Sequence, residues 1–196
     1  MLATRERKLG ADHPSTLKTA GDLADILSDQ GKYAEAEKMQ REVLAAQERK
    51  LGADHPSTLT IAGNLALTLS DQGKHAEAEK MQRGVLAAQE RELGADHPDT
   101  LETAGNLAAN LSKQRKYAEA EKMLREVLAA QERKLGEDHP ETLATAFNLS
   151  TILCDQGKNA ESERIEREVL AAQERKLGAD LPETLVTAGN LADSLP

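Results

Sequence analysis

The string Val-Leu-Ala-Ala-Gln-Glu-Arg begins at Val43 and starts again at Val85, Val127 and Val169, so the chain repeats itself every 42 residues. A second string, Asp-His-Pro, begins at Asp12, Asp54, Asp96 and Asp138, and recurs as Asp-Leu-Pro from Asp180. A period of this size restricts the fold more than length does. One such unit cannot bury its own apolar face, so neighbouring units must stack and cover one another in a continuous array. The expected organisation is one array over residues 1–196, with repeats at about 14–55, 56–97, 98–139 and 140–181 and partial repeats at 1–13 and 182–196.

Each unit reads as two helices. Leu59, Ala62, Leu65, Ala66 and Leu69 fall at helical spacing on one face. Pro56 suits a first turn, where its missing N–H costs nothing. Gly73 suits a stop in the left-handed conformation. After it, Ala78, Met81, Val85, Leu86 and Ala88 form a second apolar stripe, with Glu79 and Arg83 spaced for an ion pair, up to Gly94. The link between the two is short enough to require an antiparallel hairpin. Applied along the chain, the spacing predicts first helices over 14–29, 56–71, 98–113, 140–155 and 182–194. Second helices are predicted over 33–50, 75–92, 117–134 and 159–176, and residues 2–8 match the tail of another. The expected fold is an all-α solenoid of antiparallel helix pairs. It starts inside one repeat and stops inside another, like a piece of a longer array with apolar stacking faces at its ends.

Composition narrows the function. Aromatic residues are 2% of the chain, with no Trp, one Phe (Phe147) and two Tyr (Tyr33, Tyr117). The core must be built from Leu, Ala, Val, Ile and Met, through many similar small contacts. A formal charge of −9 with no Lys/Arg run argues against nucleic acid as a partner. No apolar stretch approaches the ~20 residues of a membrane helix, and the first residues contain no signal-peptide core. The single cysteine, Cys154, cannot form a disulfide within the chain. A reducing, cytoplasmic setting is the expectation.

The segment from Asn106 to Met123, Asn-Leu-Ala-x-x-Leu-x-x-Gln-x-Lys-Tyr-x-Glu-Ala-Glu-x-Met, resembles a tetratricopeptide repeat. The Leu-Gly-x-Asp-His-Pro link between units is similar to that of the kinesin light chain type, and the resemblance covers essentially the whole chain. It implies a right-handed superhelix whose first helices line a concave groove that holds a peptide or a partner helix. The sequence departs from the family pattern at Leu27, Leu69 and Leu111, where a Tyr is usual. It departs again at Gln40, Gln82, Leu124 and Glu166, where an aromatic residue is usual.

The resemblance also implies a row of groove amides: Asn64, Asn106, Asn148 and Asn190, with Asp22 at the same place in the first unit. An amide both donates and accepts, which suits reading a peptide backbone; the other reading is a structural bridge between helices. Gly21, Gly63, Gly105 and Gly189 precede these residues, and Phe147 takes that place in the fourth unit. Glycine inside a helix is costly, so close helix packing is the favoured explanation and groove space the other. Lys18, Asp22, Asp25 and Asn110 complete the expected groove, with Phe147 as a lone aromatic contact. The balance is acidic, which points to a neutral or basic peptide and excludes a clamp for acidic tails.

His13, His55, His97 and His139 are too far apart to share a metal ion, since stacked helices sit about 10 Å apart and zinc needs ligands at about 2 Å. The loop reads instead as helix-start chemistry, with Asp or His as the cap. No phosphate loop, zinc-protease motif or nucleophile elbow is present, so neither catalysis nor a cofactor is expected. The expected function is a non-catalytic interaction scaffold. Self-assembly through uncapped ends and a sensor array attached to a signalling NTPase are the alternatives.

Overall fold

The computed structural model describes residues 2–177 and residue 187. Among these residues the secondary structure is nine α-helices: α1 (Leu2–Leu9), α2 (Pro14–Asp29), α3 (Tyr33–Leu51), α4 (Pro56–Asp71), α5 (His75–Leu93), α6 (Pro98–Lys113), α7 (Tyr117–Leu135), α8 (Pro140–Asp155) and α9 (Asn159–Leu177). The even-numbered helices match the expected first helices residue for residue. The second helices run one residue further than expected, to the Leu before each glycine. The helix expected at 182–194 lies outside the described residues. The contacts group into two compact units, Met1–Asn106 and Leu107–Pro196. In the first, α1 packs on α2, and α2 to α5 pack each on the next, with α2 also touching α4. In the second, α7 packs on α8 and α8 on α9.

The repeated strings supply the helix boundaries. The Nδ1 atoms of His13, His55, His97 and His139 accept the backbone N–H two residues on, at 3.2, 3.2, 3.2 and 3.3 Å. Histidine is thus the N-cap, and the following Pro occupies a position whose N–H would have no partner. The Asp of the same string does a different job. Asp12, Asp54 and Asp138 pair with Arg49, Arg91 and Arg175 at 3.6, 2.7 and 3.0 Å. Each pair joins the loop before a hairpin to the last turn of that hairpin's second helix.

The turn inside each hairpin is closed by paired backbone bonds. The N–H of Lys32 reaches Leu27 O at 2.9 Å while that of Gly31 reaches Ser28 O at 2.8 Å, and the pattern recurs at Lys74, Lys116 and Lys158. It requires one left-handed residue. Gly31, Gly73 and Gly157 take it at φ of 73°, 80° and 76°, and Arg115 takes it at 62°.

Small residues let the two helices of a hairpin approach. In the fourth hairpin the Ser162 hydroxyl donates to Ser150 O at 2.8 Å, so these positions meet across α8 and α9. The same two positions hold Ala24 and Ala36, Ala66 and Ala78, and Ala108 and Ala120, all with no exposed surface. Around these crossings lie aliphatic clusters, such as Leu17, Ala20, Val43, Ala46 and Ile61, and Leu65, Leu69 and Ala78.

Successive hairpins are also gripped through a carboxylate. On α3, Glu37 accepts from Gln72 Nε2 at 2.8 Å and Lys74 Nζ at 2.6 Å, both in the next hairpin's turn, and from Arg41 Nε at 3.0 Å. Gln72 also donates to Tyr33 O, and Arg41 reaches on to Glu77 of α5 at 2.6 Å. The arrangement recurs in the second unit, where Glu121 accepts from Gln156 and Lys158, both at 2.7 Å, while Arg125 bridges Glu121 to Glu161. The hydrogen bond from Lys74 is the main cause that pulls the Glu37 carboxyl from 4.5 down to about 2. Burial opposes it, and Gln72 and Arg41 add to it. Glu121 is lowered to about 2 in the same way, chiefly by Lys158.

Two outcomes are expected. Arg115→Gly relieves a left-handed side chain and should raise the unfolding free energy by about 0.5–1 kcal/mol, read from urea denaturation. Glu37→Gln with Glu121→Gln should lower stability at neutral pH. Because the folded pKa values lie below the unfolded ones, the contribution of these carboxylates is complete above pH 4.5 and fades as the pH falls toward 2. The gap in melting temperature between wild type and double variant should therefore close over that window.

Candidate functional site

Within the first unit, α2 and α4 lie side by side and touch at three levels. A Cβ placed on Gly21 would sit 3.0 Å from Ile61 Cδ1. Nearly a turn further along, Asn64 Nδ2 donates to both oxygens of Asp25, at 3.1 and 3.0 Å. Beyond that, the Ser28 and Thr68 hydroxyls lie 3.2 Å apart. The partners are separated by 39 or 40 residues, so each level is set by the repeat period.

These helices and the last turns of α3 enclose a cavity of about 420 Å³, lined in part by Leu17, Lys18, Asp22, Asp25, Gln47, Ile61 and Asn64. Lys18, Asp22, Asp25 and Asn64 were each expected at the groove, and all four border this one space. Lys18 and Asp22 are exposed and pair loosely at 3.6 Å. Asp25 is half-buried, and its carboxyl is shifted upward. Burial is the main cause; hydrogen bonds from Gln40 and Asn64 oppose it, and the charges of Asp22 and Asp29 add to it.

The remaining expected residues divide. Asn64 bridges two helices through Asp25, the structural reading of the amide row. That bridge cannot be copied by Asn106 or Asn148, because the residue 39 positions earlier is Leu67 for one and Ala109 for the other. Asn106 is half-buried on α6, Asn148 is exposed on α8, and Phe147 beside it is half-buried. Asn110 departs from expectation: it is 1% exposed. Its position repeats those of Thr68 and Ile152, buried at 1% and 4%, and of Ile26, exposed at 51%. Asn190 lies outside the described residues.

The glycines divide too. Gly21 sits against Ile61, which is close packing, whereas a Cβ on Gly63 or Gly105 would meet nothing within 4 Å. Each DHP histidine is committed to its own helix cap. Among the described residues no group of three or more His, Cys, Asp or Glu is placed to hold a metal ion. No described helix is long and apolar enough to cross a membrane.

Gln47 stands outside the expected set. It is 8% exposed, and its Oε1 has no hydrogen-bond partner; Oε1 of Gln89, Gln131 and Gln173 shares that condition. The signal was present, since an amide unchanged in all four copies of a string otherwise divided into apolar and charged residues stands on neither kind of face.

The tetratricopeptide repeat profile matches this chain at residues 2–49, 15–83, 57–133 and 100–175. No curated protein matches the sequence. Among solved structures, a kinesin light chain-like protein of Podosopora anserina with nearly identical TPR-like repeats is similar at 29% identity. The match covers 93% of this chain and 86% of that one, with a TM-score of 0.83. BtubC (BKLC) from P. vanneervenii shares the fold at 20% identity over 97% of this chain and 79% of its own, with a TM-score of 0.78. MamA from MSR-1 shares it more distantly, at 17% identity over 90% and 97% of the two chains and a TM-score of 0.52. The 42-residue period, the capped hairpins and these matches agree, and the chain belongs to the tetratricopeptide repeat family, with repeats of the kinesin light chain-like type.

Proposed function

We propose that this array is a non-catalytic scaffold that holds a neutral or basic peptide, or a partner helix, along the face built by successive first helices. Tetratricopeptide arrays typically serve protein–protein interaction, and the finer reading rests on one observation. The cavity between α2 and α4 brings four of the expected groove residues to a single space, beside a helix whose Gly63 leaves room for a ligand backbone. Amides suit this work because they can donate to a peptide carbonyl and accept from its N–H whatever the side chain. Asp22 and Asp25 disfavour acidic segments there.

The test is an immobilised pool of random 15-residue peptides, with the chain as the soluble binder. The expected result is enrichment of neutral and basic sequences. Asn106→Ala should weaken the selected peptides by about fivefold, since one amide hydrogen bond contributes ~1 kcal/mol. Lys122→Ala, on the exposed side of α7, should change little. No enrichment, or equal loss in the α7 control, would overturn the reading.

A further inference from the structure

We propose that the cavity bounded by α2, α4 and the end of α3 receives the side chain of a lysine or arginine from a bound peptide. The proposal rests on the groove reading above and goes further, because it fixes what one position of the peptide must be.

Two acceptors in this cavity lack a cation. Asp25 accepts only from amides, Asn64 at 3.0 and 3.1 Å and Gln40 at 3.4 Å. No Lys, Arg or His among the described residues pairs with it. The two lysines nearby are engaged elsewhere. Lys18 reaches Asp22 nearly a turn earlier, and Lys50 donates to Asp12 O. Gln47 is the second acceptor. Its side chain lines the same cavity, more than nine-tenths buried; Oε1 is unpartnered and has almost no accessible surface, so the amide must turn for a guest to reach it. A buried acceptor without a donor is costly, and a ligand N–H would remove that cost.

The rest of the wall fits the same guest. Leu17 and Ile61 offer apolar surface for the methylenes of a long basic side chain, while its head meets the carboxylate. An acidic side chain would face Asp22 and Asp25. An apolar one would leave Gln47 Oε1 and the Asp25 charge unanswered. Burial already disfavours the charge on Asp25, which is the condition an incoming cation relieves. The site also occurs once among the described repeats. The positions repeating Asp25 hold Leu67, Ala109 and Thr151, so a peptide bound here is placed in one register.

The experiment is an NMR titration of the whole 15N-labelled chain, reading the side-chain amide signals of Gln47 and Asn64. The probes are N-acetyl-arginine methylamide, N-acetyl-lysine methylamide and N-acetyl-leucine methylamide. The basic probes should give saturable shifts of both amides and the leucine probe none. Asp25→Asn should weaken the basic probes by about tenfold, as expected for a charge-assisted contact. Gln47→Leu, which removes the other acceptor by an independent change, should weaken them by about threefold. Shifts from the leucine probe alone, no shift with either basic probe, or basic-probe binding that survives Asp25→Asn would each overturn the proposal. Running the random-peptide pool on wild type and Asp25→Asn separates the two readings. Peptides selected by wild type without a preference for Lys or Arg would sink the cation pocket and leave the groove standing. No selected peptides at all would sink both.

Discussion

The close approach of two helices at a pair of small residues is the constraint on which the other contacts depend. Ala24 and Ala36, Ala66 and Ala78, and Ala108 and Ala120 have no exposed surface, and they hold the positions at which Ser150 and Ser162 meet in the fourth hairpin. With so few aromatic side chains, the hairpin is held by proximity instead of by large anchors, and dispersion falls quickly as surfaces separate. That proximity sets which residues on one helix face the next. Val43 and Ala46 can then meet Leu17, Ala20 and Ile61, and Asp25 falls level with Asn64. A bulkier residue at either crossing would shift all these levels together.

The fourth hairpin shows how the crossing tolerates change. There both alanines are serines, and Glu166 stands where other repeats have Gln40, Gln82 or Leu124. The Ser162 hydroxyl finds Ser150 O at 2.8 Å, the Ser150 hydroxyl finds Phe147 O at 2.8 Å, and Glu166 lies within 3.2 and 3.4 Å of the two hydroxyls. Three buried polar changes that would each be costly alone satisfy one another. Between hairpins the acidic chain uses its charge differently. Glu37 and Glu121 are each surrounded by a glutamine, a lysine and an arginine, two of which come from the following hairpin. They therefore link neighbours more firmly than isolated surface pairs, which contribute little.

Helix boundaries were legible because they are written locally. A His-Pro start and a glycine stop act within a few residues, and the structure follows them to within one position. The Asp-His-Pro loop was half legible: either Asp or His could cap, and only the fold shows that His caps while Asp reaches an arginine 37 residues later. Asn110 drew notice because its side chain is polar, yet it is buried like Thr68 and Ile152, while Ile26 at the same place in the first repeat is exposed. The link from Asn64 to Asp25 was hidden for the opposite reason. It joins residues 39 apart, and no other repeat contains the same pair, so periodicity could not announce it.

A repeated scaffold raises a question that a globular core does not: where can specificity reside when every unit is nearly the same? The recurring features, the histidine caps, the small-residue crossings and the carboxylate grips of Glu37 and Glu121, serve the stack and do not tell one position from the next. Discrimination must come from the departures. Asp25 replaces what is elsewhere Leu67, Ala109 and Thr151, and Phe147 replaces Gly21, Gly63 and Gly105. The first adds a half-buried charge held by the amides of Asn64 and Gln40; the second adds an aromatic ring where two of its counterparts leave open space. They stand three repeats apart. Departures of this kind are the least a repeated surface needs to distinguish one position from another.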